Sequence, residues 1–222
     1  MARYVYTAKQ ARYFDAIRNV NNHLILGVGP AGTGKTSIPC TIAADMLAKK
    51  QIKKILITRP AVCADESHGY LPGNIDSKML PYMLPIYDCF TKAGISNDVL
   101  RAHLVSKTIE ICPFSYIRGR TFSNCFLLAD ETQNCTPNQI KMLLTRAGEN
   151  CKMVLTGDPD QSDLPEAQEN GLSDLLGRIA GKFEEGDESL FDVIHFGQED
   201  IVRSKIVRRV LELYDERPFR NF

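Results

Sequence analysis

The sequence predicts an α/β fold built on a mainly parallel sheet with helices on both faces, and three observations predict it. Short apolar runs alternate with amphipathic stretches of helical length along the chain, the pattern of strand–helix–strand units. One run, Leu24 to Val28, leads directly into Gly29-Pro30-Ala31-Gly32-Thr33-Gly34-Lys35-Thr36. Another, Cys125 to Ala129, ends in the adjacent acids Asp130 and Glu131. Strands buried between helix layers read as continuous apolar runs, as both of these do.

At 222 residues the chain suits a single α/β domain, here residues 1–222, and is too short for two nucleotide-binding domains of ordinary size. Lysine plus arginine and aspartate plus glutamate number 27 each, so no global basic charge points to nucleic acid, although a local patch is compatible with the balance. Seven cysteines, scattered and without a C-x-x-C pair, argue against a disulfide framework and a zinc site. The opening Met-Ala-Arg-Tyr-Val-Tyr lacks a long apolar core, and no apolar run approaches the roughly 18 residues of a membrane span. A cytoplasmic protein with no membrane partner is the expectation.

Taken in order, Thr7 to Val20 reads as a helix with Ala11, Phe14, Ile17 and Val20 along its apolar face. Leu24 to Val28 is the first strand, and the eight residues after it fit G-x-x-x-x-G-K-[S/T] without mismatch. Glycines at 29, 32 and 34 let successive N–H groups point into one concavity, where the N-terminus of the next helix, Ser37 to Leu47, adds partial positive charge. A polyphosphate fits such a nest, with Lys35 on the β- and γ-phosphates and the Thr36 hydroxyl as a ligand for Mg²⁺.

Lys53 to Thr58 is a second strand, which delivers Arg59-Pro60 to the ligand side of an open parallel sheet. Pro72, Gly73, Pro81 and Pro85 predict a loop and then a helix starting near Pro81 or Pro85. Asn97 to Leu104 is a short helix and Thr108 to Pro113 a third strand. Tyr116 and the Arg118-Gly119-Arg120 turn offer phosphate forks and a stacking ring to an RNA or DNA strand, or to the nucleotide of a neighbouring subunit. A solvated turn is the equal alternative.

Asp130, at the tip of the Cys125 to Ala129 strand, is placed to hold Mg²⁺ opposite Thr36, and Glu131 to orient and deprotonate an attacking water. Thr136-Pro137 caps a helix from Asn138 to Arg146, which Gly148 ends. Cys151 to Thr156 is a strand; in phosphate-loop ATPases that keep a catalytic glutamate, a strand between the other two ends in a polar sensor, and Gln161 just beyond this one suits that role. A helix from Gly171 to Phe183, a strand from Leu190 to Phe196 and a helix from Ser204 to Tyr214 complete the chain, with Arg203 singled out at the start of the last.

Thr58-Arg-Pro-Ala-Val62, Gly69-Tyr-Leu-Pro-Gly73, Pro85-Ile-Tyr-Asp88, Arg118-Gly-Arg-Thr121, Asp130-Glu-Thr-Gln-Asn134 and Gly157-Asp-Pro-Asp-Gln161 stand in one order along the chain. Together with the phosphate loop they resemble the PhoH-like ATPase family, whose domain is similar to the first RecA-like core of superfamily-one helicases. The resemblance covers about Gln10 to Tyr214. It implies a RecA-like P-loop NTPase fold, ATP and Mg²⁺ as cofactors, ATP hydrolysis coupled to a strand of RNA or DNA, and a homo-oligomer, most simply a hexameric ring. It also makes Gln10 a candidate reader of adenine, Gly29 to Ser37 the phosphate-binding residues, Arg203 a residue near the γ-phosphate, and Arg59, Arg118 and Arg120 candidates for nucleic-acid contact or for an arginine donated in trans. The chain departs from the family at residues 63 to 68 and at Thr132. A phosphate-loop phosphotransferase and a nucleotide-gated assembly module without turnover are the competing readings.

Overall fold

The computed structural model describes residues 6–60, 75–165, 167–182, 190–202 and 206. Six strands make one sheet: β1 (Leu24–Val28), β2 (Lys54–Thr58), β3 (Ile109–Ile111), β4 (Cys125–Ala129), β5 (Cys151–Gly157) and β6 (Phe191–His195). Their order is β3-β2-β4-β5-β1-β6, and every pairing is parallel. The strand ending in the polar Gly157-Asp-Pro-Asp-Gln161 segment thus lies between the phosphate-loop strand and the acidic strand, as expected.

Helices cover both faces. Alternate strand residues divide the interior, because side chains of a strand point to opposite faces with period two. Ile25, Ile55, Ile57, Phe126, Leu128 and Val154 face one core, shared with α1 (Ala8–Arg18), α2 (Ser37–Ala48), α3 (Ile75–Lys92) and α4 (Asn97–Val105). Leu26, Leu56, Leu127, Met153 and Leu155 face the other, closed by α5 (Pro137–Leu144) and α6 (Gly171–Lys182). Among the described residues no helix is long and apolar enough to cross a membrane. The cysteines described there are free and, apart from the half-buried Cys89, buried.

Three expectations need correction. The helix after the Pro72-Gly73 turn runs through Pro81 and Pro85 instead of starting at either. An internal proline costs a hydrogen bond and a clash, but Met83, Ile86 and Phe90 are fully buried and the helix packs along α2, so burial outweighs the backbone defect. In α1 the buried face is Gln10, Tyr13, Ala16 and Ile17, one position from the predicted stripe, and Val20 is 82% exposed. Two polar groups sit in that face, the Gln10 amide and the tyrosine hydroxyl, so counting apolar residues alone shifts it. Finally, α5 stops at Leu144 with Thr145 as its cap, and Gly148 instead packs beside Ser123 and Thr121. Apart from Ile206, the proposed last helix lies outside the described residues, as do Arg203 and the Gly69–Gly73 motif.

Candidate active site

Because all six strands run parallel, their C-terminal ends share one edge, where ligands of open α/β sheets bind. Gly29, Arg59, Asp130 and Asp158 are the residues that follow β1, β2, β4 and β5 along that edge.

The loop after β1 curls through left-handed glycines at φ 136° (Gly29), 87° (Gly32) and 88° (Gly34). Gly29 is also sterically required: a Cβ there would lie 2.5 Å from the Phe196 carbonyl oxygen. The loop fastens itself at Pro30, whose carbonyl accepts from the Thr33 hydroxyl at 3.0 Å and the Lys35 ammonium at 3.1 Å. Ser37 adds a long bond to the Gly34 carbonyl at 3.4 Å. Ala31 lies at the half-buried turn between them.

Neighbours hold the loop from beneath. Tyr13, fully buried, donates its hydroxyl to the Lys35 carbonyl at 3.1 Å, and Val202 donates its N–H to the Gly32 carbonyl at 3.0 Å. Gln10 is 1% exposed and its amide is already engaged: the nitrogen donates to the carbonyls of Thr33 (2.9 Å) and Asp200 (3.2 Å), and the oxygen accepts the Thr7 N–H at 3.1 Å. In this arrangement Gln10 ties α1 to the loop, and an adenine edge would have to take over those bonds. Asp200, also buried, accepts from the Thr7 hydroxyl and the Gly197 N–H, which pins the segment after β6 against the same helix. A cavity of about 640 Å³ opens beside the loop, lined by Tyr6, Gln10, Ser37, Ile38, Thr41 and Lys92 among others.

The acidic pair sits directly opposite. The Thr36 hydroxyl donates to Asp130 Oδ1 at 2.9 Å, and the Thr156 hydroxyl donates to the same oxygen. The strand register explains the second contact, since Ala129 is level with Leu155 and the following residues therefore face each other. Asp130 is 4% exposed. Burial pushes its carboxyl up, the Thr156 hydroxyl opposes this, and the neighbouring Glu131 charge adds to it. Two hard oxygens, one hydroxyl and one carboxylate, in contact at a phosphate loop are the donor set a magnesium ion takes.

Glu131 has a left-handed backbone, φ 56° and ψ 41°, uncommon for any residue but glycine and a recurrent mark of functional positions. Its Oε1 accepts from Arg59 Nη2 at 3.0 Å and its Oε2 from Gln133 Nε2 at 2.6 Å. Gln133 in turn donates to the Gln161 carbonyl at 3.3 Å and accepts the Asp158 N–H at 3.2 Å, while the Gln161 amide donates to Asp158 at 2.7 Å. The predicted base and the predicted sensor segment are therefore joined through one glutamine.

The arginines separate. Arg59, expected to face a strand or a neighbouring subunit, instead turns inward onto Glu131 of its own chain. Arg120 is engaged at the sheet edge: it grips Glu110 of β3 with both nitrogens, at 2.7 and 3.2 Å, and lies over the Phe122 ring at 4.8 Å. Burial works against the Glu110 charge, yet Arg120 and Lys54 hold its carboxyl below the usual range. Arg118 is exposed, as is Tyr116 two residues before it, at 53%. Arg120's partners, Glu110, Cys112 and Phe122, all lie away from the phosphate loop.

Sequence reasoning missed Tyr13, Gln133, Thr156 and Asp200. Gln133 lies in the Asp130–Asn134 stretch and Thr156 at the end of β5, but their residue types do not say which group each would bond. Tyr13 and Asp200 act on the loop across 22 residues and through α1, separations no local pattern carries.

The chain is similar to known proteins in sequence and in overall fold. The PhoH-like protein of Bacillus subtilis is 41% identical over 217 residues, covering 96% of this chain and 64% of that one. Protein PhoH of Escherichia coli K12 is 42% identical over 208 residues, 92% of this chain and 56% of that one. The chain thus spans about half to two thirds of the length of these curated relatives. Among solved structures, the large terminase of a thermophilic bacteriophage, in complex with ADP, superposes with a TM-score of 0.57 at 14% identity over 94% of this chain and 50% of that one, a likeness of fold alone. With the family model described as PhoH-like protein matching residues 4–215, almost from end to end, this chain belongs to the PhoH family.

Proposed function

We propose that the chain is an Mg²⁺-dependent ATP hydrolase that couples turnover to a single strand of RNA or DNA. The observation that carries the hydrolase half is the meeting of Thr36 and Asp130 at 2.9 Å at the mouth of the loop, with Glu131 as the next residue along. Thr36 and Asp130 would hold the magnesium ion, which when bound supplies charge neutralisation on the β- and γ-phosphate oxygens. The loop N–H groups and Lys35 bind the phosphates, with Lys35 leaving the Pro30 carbonyl for them. Glu131 accepts the proton of the attacking water, a role worth about 10² to 10⁴ in rate. Gln161 reports the γ-phosphate through Asp158 and Gln133. The first test is ATP turnover with and without RNA and DNA. Glu131→Gln should keep nucleotide binding and slow hydrolysis by about 10²-fold or more, and wild-type turnover in that variant would overturn the base assignment.

The strand half rests on Arg118 and Tyr116, an exposed arginine and an exposed ring two residues apart along the chain. One RecA-like domain supplies a loop, a metal site, a base and a sensor, and a neighbouring copy meeting it head to tail would add an arginine at the transition state. A homo-hexameric ring closes that contact. Arg203 is the donor we favour, since Arg120 is committed to Glu110 and Arg118 is assigned to the strand. Mixing Lys35→Ala subunits with Arg203→Ala subunits should restore activity that neither has alone, and an active monomer would refute the ring.

A further inference from the structure

Glu131 is restrained from two unlike sides. Gln133 is a fixed partner: it is 2% exposed, its amide is anchored by the Asp158 N–H, and its carbonyl accepts the Ser162 hydroxyl at 3.0 Å. Arg59 is the outer partner. It follows β2 directly, and β2 lies beside β4 with Thr58 level with Ala129, so its guanidinium reaches across to the acid two residues beyond Ala129. The Arg59 and Glu131 side chains are 20% and 33% exposed, so this side of the clamp is open to a ligand.

A carboxylate with one oxygen on a guanidinium and the other on an amide is fixed in direction: each oxygen keeps a further lone pair, but the group cannot swing toward a water at the loop until one partner lets go. A phosphate oxyanion matches the arginine fork as well as a carboxylate does, a terminal phosphate with more charge and a phosphodiester with the same single charge, so either can compete with Glu131 for Arg59. We infer that Arg59 is a positioning residue that clamps Glu131 in the nucleotide-free chain and exchanges it for a phosphate oxyanion, releasing the acid toward water. The inference rests on Glu131 being the base. The oxyanion is either the γ-phosphate at the loop or a phosphodiester of a bound strand, and the same chemistry serves both.

The test is a double-mutant cycle on the full chain, Arg59→Gln and Glu131→Ala singly and together, read by urea denaturation. Without ligand the two substitutions should couple by about three- to tenfold in the folding equilibrium, as expected of a partly buried charge-assisted pair. With magnesium and an imido-bridged ATP analogue the coupling should fall to within about twofold of none, while ADP leaves it intact. If instead a short oligothymidylate removes it and the analogue does not, the strand supplies the phosphate. Arg59→Lys, which keeps the charge, should retain part of the coupling, and its complete failure to do so counts against a charge-held clamp. Additive substitutions without ligand, or coupling that survives both the analogue and the oligonucleotide, overturn the inference. The cycle reads folding and not turnover, so absent hydrolysis would sink the base assignment while this measurement still decides the clamp.

Discussion

Lys152 offers a sharp test of how the site is supported. It sits on β5, 8% exposed, and its ammonium donates to the carbonyls of Asn19 at 2.6 Å and Asn22 at 2.8 Å. These carbonyls belong to the turn where α1 ends and the chain enters β1, so Lys152 fixes the helix that carries Gln10 and Tyr13. Lys152→Met keeps the stem and removes both donors. The Asn19 carbonyl keeps the Asn22 N–H at 3.2 Å, so the Asn22 carbonyl is the one left without a described donor, at about 1–3 kcal/mol, and the bond lost at Asn19 adds about 1 kcal/mol. Relief from burying the ammonium returns part of that, which leaves a net loss of about 2 kcal/mol. For a chain of this size the melting temperature should fall by about 4–8 °C.

The pH dependence gives a second, independent readout. Burial pushes Lys152 down to about 8 from the ordinary 10.5. Between those values the folded chain has released the proton and the unfolded chain keeps it, so the unfolded state binds more protons and stability from this group rises with pH. The neutral amine still has two hydrogens for its two acceptors. Discounted for solvent screening, the gap between wild type and variant should widen by about 1–2 kcal/mol from pH 7.5 to pH 10. Urea titrations of both proteins at these pH values decide it. A variant as stable as wild type, or a gap that narrows as pH rises, would refute the reasoning.

Other outcomes follow from the same geometry. Gly157→Ala would place a methyl 2.7 Å from both Gln133 Oε1 and Leu172 Cδ2; such overpacking should cost about 1–3 kcal/mol and, by displacing Gln133 from Glu131, lower kcat more than it raises KM, which steady-state kinetics will read. Arg118→Ala should weaken strand affinity and lower the salt slope of binding by about one ion, and unchanged affinity at every salt concentration would return that loop to a solvated turn. Arg120→Ala should instead loosen the Glu110 contact, at on the order of 1 kcal/mol of stability in urea titration, with little change in the salt slope.

The sequence alone determined the phosphate loop, the acid pair and the strand–helix alternation. All of these are local or periodic: a glycine-rich nest must be encoded by its own glycines, and a buried strand by its own apolar run. Arg118 and Gln161 could also be picked out, because charge and amides in loops at strand ends are visible one segment at a time. Tertiary structure alone decided what those side chains do to each other. Gln10 and Arg59 read as outward-facing from their types, yet one amide is absorbed by the loop and α1, and one guanidinium turns onto Glu131. Tyr13, Gln133 and Lys152 owe their roles to partners brought near by the parallel register, and to buried carbonyls that must find a donor wherever the chain can supply one. Whether a polar side chain is spent inside the fold or left for a ligand depends on which other groups are orphaned beside it, and that is settled only when the strands are side by side.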